Sequence, residues 1–257
     1  MKQRKVNRGF TLIELLVVIA VISVLLAILI PALHKARQLS QRSSCQARLK
    51  HLSLAWNMYL NENDGAFYQG VNANLNYGGW PGLIGWWPRP LNPYAGLRGT
   101  EEITEDAAKA FCCPGDQGGV PPAYTIQYKV HLYLGTSYQT NIFLIGQDAC
   151  GTFSEKTKEL DAEISSRLSN LTINDVYNPS RLLLLGDYGW INQWDPGSDP
   201  PHEWKERAEW HGREDCFNLV FLDGHCGLIK IKKGIYVDDA YSILPFKELY
   251  GLAKQIQ

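Results

Sequence analysis

The side chains of this 257-residue chain able to do covalent, redox or metal chemistry include six cysteines, at 45, 112, 113, 150, 216 and 226. A small set of histidines and aspartates joins them. No Cys-x-x-Cys pair and no His-Glu-x-x-His occurs, so the strong zinc signatures are absent. His202, His211, His225, Asp187 and Asp223 could act as ligands only if the fold made them converge, so no metal or cofactor is expected from their order along the chain. Asp195 and Asp199, in Trp-Asp-Pro-Gly-Ser-Asp-Pro, do not match the EF-hand spacing and read as an Asp/Pro turn. Gly-x-Ser-x-Gly, the dinucleotide fingerprint and the P-loop are missing, and nothing pairs a nucleophile with a base. No catalytic residue and no enzymatic activity are expected. One carboxylate stands out by its surroundings: Glu14 interrupts an apolar run, where an ionisable group is costly and a functional candidate. The alternative is that Glu14, about 6 Å along a helix from Phe10, snorkels to water at the membrane boundary.

The elements that must hold these residues differ sharply along the chain. Residues 1–9 hold Lys2, Arg4, Lys5 and Arg8 and no acid. Phe10 to Ile30 is broken only by Thr11, Glu14 and Ser23, and as a helix it would measure about 31 Å, close to the hydrocarbon thickness of a bilayer. The run is longer than the apolar region of a secretory signal and has no small-residue cleavage site, so a membrane span is expected. Basic residues flank both ends and do not orient it. Beyond Pro31, Leu39, Cys45, Leu49, Leu52, Trp56 and Tyr59 or Leu60 recur at helical spacing, with Asn61, Asn63, Asp64 and Gly65 as a stop signal. A helix nearly unbroken from Thr11 to Glu62 is expected.

Residues 64–257 read as one globular α+β domain with a mostly antiparallel sheet laid on that helix. Strand-like runs are Tyr138–Ile145, Arg181–Leu185, Phe217–Leu222 and Cys226–Ile231, and helical runs are Thr104–Ala110 and Ser154–Leu171. Asp223-Gly224 between two apolar runs predicts a two-residue hairpin turn, which would set Cys226 opposite Phe221. Cys216 would then lie about 17 Å away on the other face, which excludes a Cys216–Cys226 bond. Eight tryptophans are many, and seven fall between Trp80 and Trp210. Trp80, Trp86, Trp87, Trp190 and Trp194 lie among Gly, Pro, Asn and Asp, as in surfaces that stack sugars, and are the candidate ligand-binding aromatics. Packing in the core of a loop-rich domain is the other reading. With 25 basic and 26 acidic residues the net charge is −1, which argues against a nucleic-acid-coating surface.

Gly9-Phe10-Thr11-Leu12-Ile13-Glu14 resembles the cleavage and methylation motif of type IV prepilins and type II secretion pseudopilins. The resemblance implies a pilin-like fold: a leader at 1–9, an N-terminal helix at 10–63 (transmembrane 10–31, amphipathic 32–63) and the α+β domain at 64–257. It implies cleavage after Gly9 by a prepilin peptidase and N-methylation of Phe10. It also implies that Glu14 pairs with a neighbouring subunit's N-terminal amine during assembly, and that Pro31 breaks or kinks the helix. The implied partners are the prepilin peptidase/methyltransferase, other pilin or pseudopilin subunits and inner-membrane lipid. The implied protein is a non-enzymatic subunit of a pilus-like filament or secretion pseudopilus, a single-pass inner-membrane protein with the leader in the cytoplasm and the globular part outside. A membrane-anchored glycan- or substrate-binding module is the alternative.

Phe111-Cys112-Cys113-Pro114, Ser137 to Asn141, Asn178-Pro179-Ser180, Gly186-Asp187, and His211 with Asp223-Gly224-His225 resemble a group of bacterial prepilin-like proteins that end in a His-x9-Asp-Gly element. Here eleven residues separate His211 from Asp223, which predicts an extended loop at Gly212–Asp215. Outside the cytoplasm disulfides are allowed. Cys112 or Cys113 with Cys150 is the expected pair, and Cys45 is expected as a small apolar filler.

Overall fold

The computed structural model describes residues 11–69, 77–83, 85, 88–98, 103–119, 129–146, 158–194 and 209–256. The chain divides into two compact units, Met1–Ser40 and Gln41–Gln257.

Helix α1 runs Leu12–Glu62, one residue short of the expected start. Thr11 and Glu14 close its N-terminus as a capping box. Glu14 Oε2 accepts from the Thr11 backbone N–H and hydroxyl, each at 2.8 Å, and the Glu14 N–H donates to Thr11 Oγ1 at 3.3 Å. In the first unit every side chain from Thr11 to Arg37 is exposed, and from Leu12 to Leu33 nearly all are apolar around the full circumference. A helix apolar on all sides needs an apolar solvent or apolar neighbours. Its length and hydropathy suffice to cross a membrane. Of the break or kink expected at Pro31, the break is not present, because α1 continues through it. Proline there removes a single backbone donor.

In the second unit the amphipathic reading of α1 holds from Cys45 onward. Cys45, Leu49, Leu52, Ser53, Ala55, Trp56 and Leu60 are buried, while Leu39, expected on this face, is exposed in the first unit. The helix stops where the sequence says it should. Asp64 and Gly65 take positive φ (54° and 77°), and the Gly65 N–H donates to Leu60 O at 2.7 Å. Trp56 packs its ring against Phe67 and Tyr77 in the core that α1 shares with the sheet.

The sheet is four-stranded, ordered β1 (Tyr138–Thr140), β2 (Leu183–Asp187), β3 (Cys216–Phe221) and β4 (Cys226–Lys230), and antiparallel throughout. Short helices α2 (Val130–Leu134), α3 (Ile142–Ile145), α4 (Lys158–Leu168) and α5 (Tyr250–Ile256) complete the described α-helices. The architecture is the expected α+β, pilin-like one.

Several local expectations are corrected. The run Tyr138–Ile145 is strand only to Thr140. Asn141 Oδ1 then accepts from the Phe143 N–H and starts α3, while its amide donates to Leu183 O and Ile243 O, each at 2.8 Å. The second strand begins two residues later than expected and ends at Asp187. Thr104–Ala110 forms turns leading into a single 3₁₀ turn at Lys109–Phe111, too short a segment to propagate a helix. In α4, Leu160, Ile164 and Leu168 are buried as the spacing predicts.

The Asp223-Gly224 hairpin is present, but its connection has three residues, Leu222 to Gly224. Val220 faces Cys226, the Phe221 N–H donates to His225 O, and Gly224 takes φ 88°. A tight turn followed by a left-handed glycine is the usual three-residue solution. Cys216 and Cys226 are therefore on the same face rather than opposite faces. They remain about 13 Å apart along the ladder, beyond bonding reach.

Candidate functional site

Two regions carry chemistry. The first is the start of α1. Gly9 and Phe10, the expected processing and methylation positions, and the leader 1–9 lie outside the described residues. Glu14 sits on the first turn, held by Thr11.

The second region is buried in the globular unit and was not legible as a set. Cys45 comes from α1, Cys113 from the loop after Phe111, Asp187 from the end of β2, and His211 from the loop entering β3. One donor atom from each lies within 4.8 Å of all the others, and all four residues are buried. The Cys45 thiol donates to Asp187 Oδ1 at 3.1 Å and lies 3.2 Å from the Tyr138 hydroxyl. His211 Nε2 is 3.0 Å from Asp187 Oδ2 and 3.7 Å from Cys113 Sγ. The Asn218 backbone N–H donates to Asp187 Oδ2 at 2.7 Å, which fixes the carboxylate from β3. Cys45 is thus a polar partner rather than only a filler.

The electrostatics follow from this geometry. Burial pushes both the Cys45 and the Cys113 thiols up, so neither is a thiolate poised for nucleophilic attack. Burial alone would push the His211 imidazole down, but the charge and hydrogen bond of Asp187 overcome it and raise the group to about 10. The cluster thus favours the protonated imidazole of His211 beside two thiols.

A second buried knot ties the loops. Asp116 accepts from the backbone N–H groups of Gly118, Val130 and His131 and from the Ser137 hydroxyl at 2.7 Å. His131 Nδ1 is 3.0 Å from Asp116 and its Nε2 is 3.1 Å from Glu105. Ser137 donates to the aspartate and is buried, so this Ser/His/Asp group is a structural tie.

The remaining candidates disperse. Asp223 and His225 pair with each other at the exposed turn, where the His225 ring stacks on Phe221. His202, Asp195 and Asp199 lie outside the described residues. Gly212 and Asp215 both take positive φ in the expected loop before β3. Cys112 and Cys113 are free thiols, and Cys150, their expected partner, lies outside the described residues. The aromatic surface is corrected at Trp190 and Trp194. Trp190 and Trp194 are buried and pack edge to face, with Trp190 Nε1 donating to Gln139 O. Trp80 is half-buried and donates to His131 O, and Trp210 is buried. Trp86, Trp87 and Trp204 lie outside the described residues. Large aromatics fill the spaces between irregular loops where few regular elements supply aliphatic packing.

A long apolar N-terminal helix followed by an α+β domain with an antiparallel sheet is the element order of a pilin-like fold. Comparison with known proteins agrees at the N-terminus. The family described as the prokaryotic N-terminal methylation motif matches residues 4–30. The type IV major pilin protein PilA of Myxococcus xanthus (strain DK1622) is 45% identical over 58 residues, 23% of this chain and 26% of PilA. The ComG operon protein 3 homolog of Bacillus licheniformis is 41% identical over 59 residues, 23% of this chain and 61% of that protein. The matched stretch thus spans about a quarter and about three fifths of these two relatives. No solved structure matches the chain.

Proposed function

We propose that this chain is a structural, non-enzymatic subunit of a type IV pilus-like filament or type II secretion pseudopilus. The observation that carries the reading is the methylation motif at residues 4–30 running directly into a helix that is apolar on every side. In this reading the chain inserts as a single-pass inner-membrane protein with the leader in the cytoplasm and the globular unit outside. A prepilin peptidase cuts after Gly9 and methylates Phe10. Other pilin or pseudopilin subunits and lipid are its partners.

Assembly is the work. Apolar helices move from lipid into a helical bundle, a transfer with little hydrophobic drive, so packing and a specific polar contact must supply the selectivity. Glu14 supplies that contact, because a carboxylate and a neighbour's terminal ammonium neutralise each other where either alone would be costly.

The test is intact mass and N-terminal peptide analysis of protein extracted from its native membrane. A chain beginning at Phe10 with one added methyl supports the reading. A chain still beginning at Met1, in cells with an active prepilin peptidase, overturns it and makes residues 10–30 a plain anchor.

A further inference from the structure

We propose that Cys45, Cys113, Asp187 and His211 form a structural metal site for zinc, or another divalent transition ion of similar softness, that pins the second half of α1 to the sheet. The donor set is two sulfurs, one imidazole nitrogen and one carboxylate oxygen, a combination suited to borderline-soft ions and unsuited to calcium or magnesium.

Geometry supports a tetrahedron. Zinc bonds of about 2.3 Å to sulfur and 2.0–2.2 Å to nitrogen or oxygen place neighbouring ligand atoms about 3.3–3.8 Å apart. Here Cys113 Sγ to His211 Nε2 is 3.7 Å, Cys45 Sγ to Asp187 Oδ1 is 3.1 Å, and His211 Nε2 to Asp187 Oδ2 is 3.0 Å. All four donors fall within 4.8 Å of one another. These three contacts lie within about 0.3 Å of that range, and the other pairs, within 4.8 Å, would close by at most about 1 Å around an ion.

The surroundings are those of a ligand shell. Asp187 is oriented by the Asn218 N–H, and the Tyr138 hydroxyl lies 3.2 Å from Cys45 Sγ, where it can donate to a thiolate. Gly115 backs the His211 ring so closely that a Cβ would lie 3.0 Å from its Cε1. His211 Nδ1, the N–H that ligation through Nε2 leaves, is buried with no hydrogen-bond partner among the described residues, so packing and not a hydrogen-bond acceptor places the ring. Binding would release the two thiol protons and the His211 Nε2 proton to solvent. Two thiolates, a carboxylate and a neutral imidazole then surround the dication, leaving one net negative charge that the Tyr138 and Asn218 donors face. All four positions are closed by protein and buried, the mark of a structural rather than a catalytic site.

The experiment uses the full chain, purified in detergent under reducing conditions and analysed for metal by mass spectrometry, then reloaded with Co²⁺. The expected result is about one zinc ion per chain, with intense tetrahedral d–d bands and thiolate-to-cobalt absorption in the cobalt form. Cys113→Ser should lose about half of the thiolate absorption and most of the zinc, whereas Cys216→Ser, at the far end of β3, should keep both. The wild-type cobalt spectrum needs no variant to fold and is decisive by itself. Absence of thiolate-to-cobalt absorption overturns the proposal, as does zinc content unchanged in Cys113→Ser. A Cys45–Cys113 disulfide in protein from the native membrane, seen as a two-hydrogen mass deficit, overturns it too.

Discussion

The Cys45 thiol donates to Asp187 Oδ1 at 3.1 Å across 142 residues of chain, joining the long helix to the end of the second strand at the centre of the core. Because this polar contact sits beneath the sheet, the buried face of the helix from Cys45 onward is part of the globular unit's core. Truncation within residues 41–62 should therefore unfold that unit, whereas the apolar half has no buried residue to lose.

Glu14 has two separable roles. Its side chain closes the capping box with Thr11, which a glutamine can also do, and it carries the charge proposed to meet a neighbour's amine. Glu14→Gln and Glu14→Ala should both leave membrane insertion and processing intact, and both should reduce incorporation into filaments to a small fraction of wild type. Counting subunits in sheared filaments checks this. Normal incorporation of Glu14→Gln would leave Glu14 only its helix-start role.

Trp190→Ala should act on stability. The ring is fully buried against Trp194 and its indole N–H donates to Gln139 O, so truncation should cost about 3–5 kcal/mol. Urea unfolding followed by circular dichroism measures it. An unchanged midpoint, with loss of glycan binding instead, would restore the aromatic-surface reading.

Gly186→Ala should destabilise by about 1–3 kcal/mol. A Cβ at this position would sit 2.0 Å from Leu219 Cδ2 and 2.7 Å from Asn218 O on the paired strand, and the backbone oxygen has nowhere to go. Thermal unfolding of the variant against wild type checks the value. Equal transition temperatures would mean that β2 and β3 can separate at little cost.

Asp116 should make stability depend on pH at the acid end. Burial by itself would raise its carboxyl, but hydrogen bonds from His131, Ser137 and the Val130 and His131 N–H groups win and hold it below the ordinary value. A folded-state value lower than the unfolded one, about 3.9, contributes stability that is present above that pH and lost as the pH falls through the folded value. Asp116→Asn should cost about 2–4 kcal/mol at pH 7, and the difference from wild type should shrink below about pH 4. Urea midpoints across that range decide it, and a constant difference would remove the titration from the account.

The parts legible from sequence were those written in contiguous residues. The stop of α1 at Asn63-Asp64-Gly65 and the apolar face Leu160–Ile164–Leu168 are local patterns that form as written, and the hairpin around Asp223 forms with one turn residue more than its pattern says. The misreadings came where one residue's side chain outcompeted a pattern. Asn141 turned an apolar strand into a cap and a short helix, and one extra turn residue moved Cys226 across to face Val220. Trp190 and Trp194 pack in the core, the other of the two readings, because composition cannot tell an exposed platform from a core between loops.

By itself the sequence determined the N-terminal features: a basic start, a membrane-length apolar helix and a glutamate at a set distance from the Gly-Phe junction. All of these are read along one uninterrupted stretch, since helix rise and bilayer thickness convert directly into residue number. Only the tertiary structure decided the buried site. Its four residues are separated along the chain by 68, 74 and 24 positions (45, 113, 187 and 211), and no spacing rule links them. What brings them together is the packing of α1 under the sheet and the register of β2 against β3, which bury Cys45, Cys113, Asp187 and His211 where each must find a polar partner in the others.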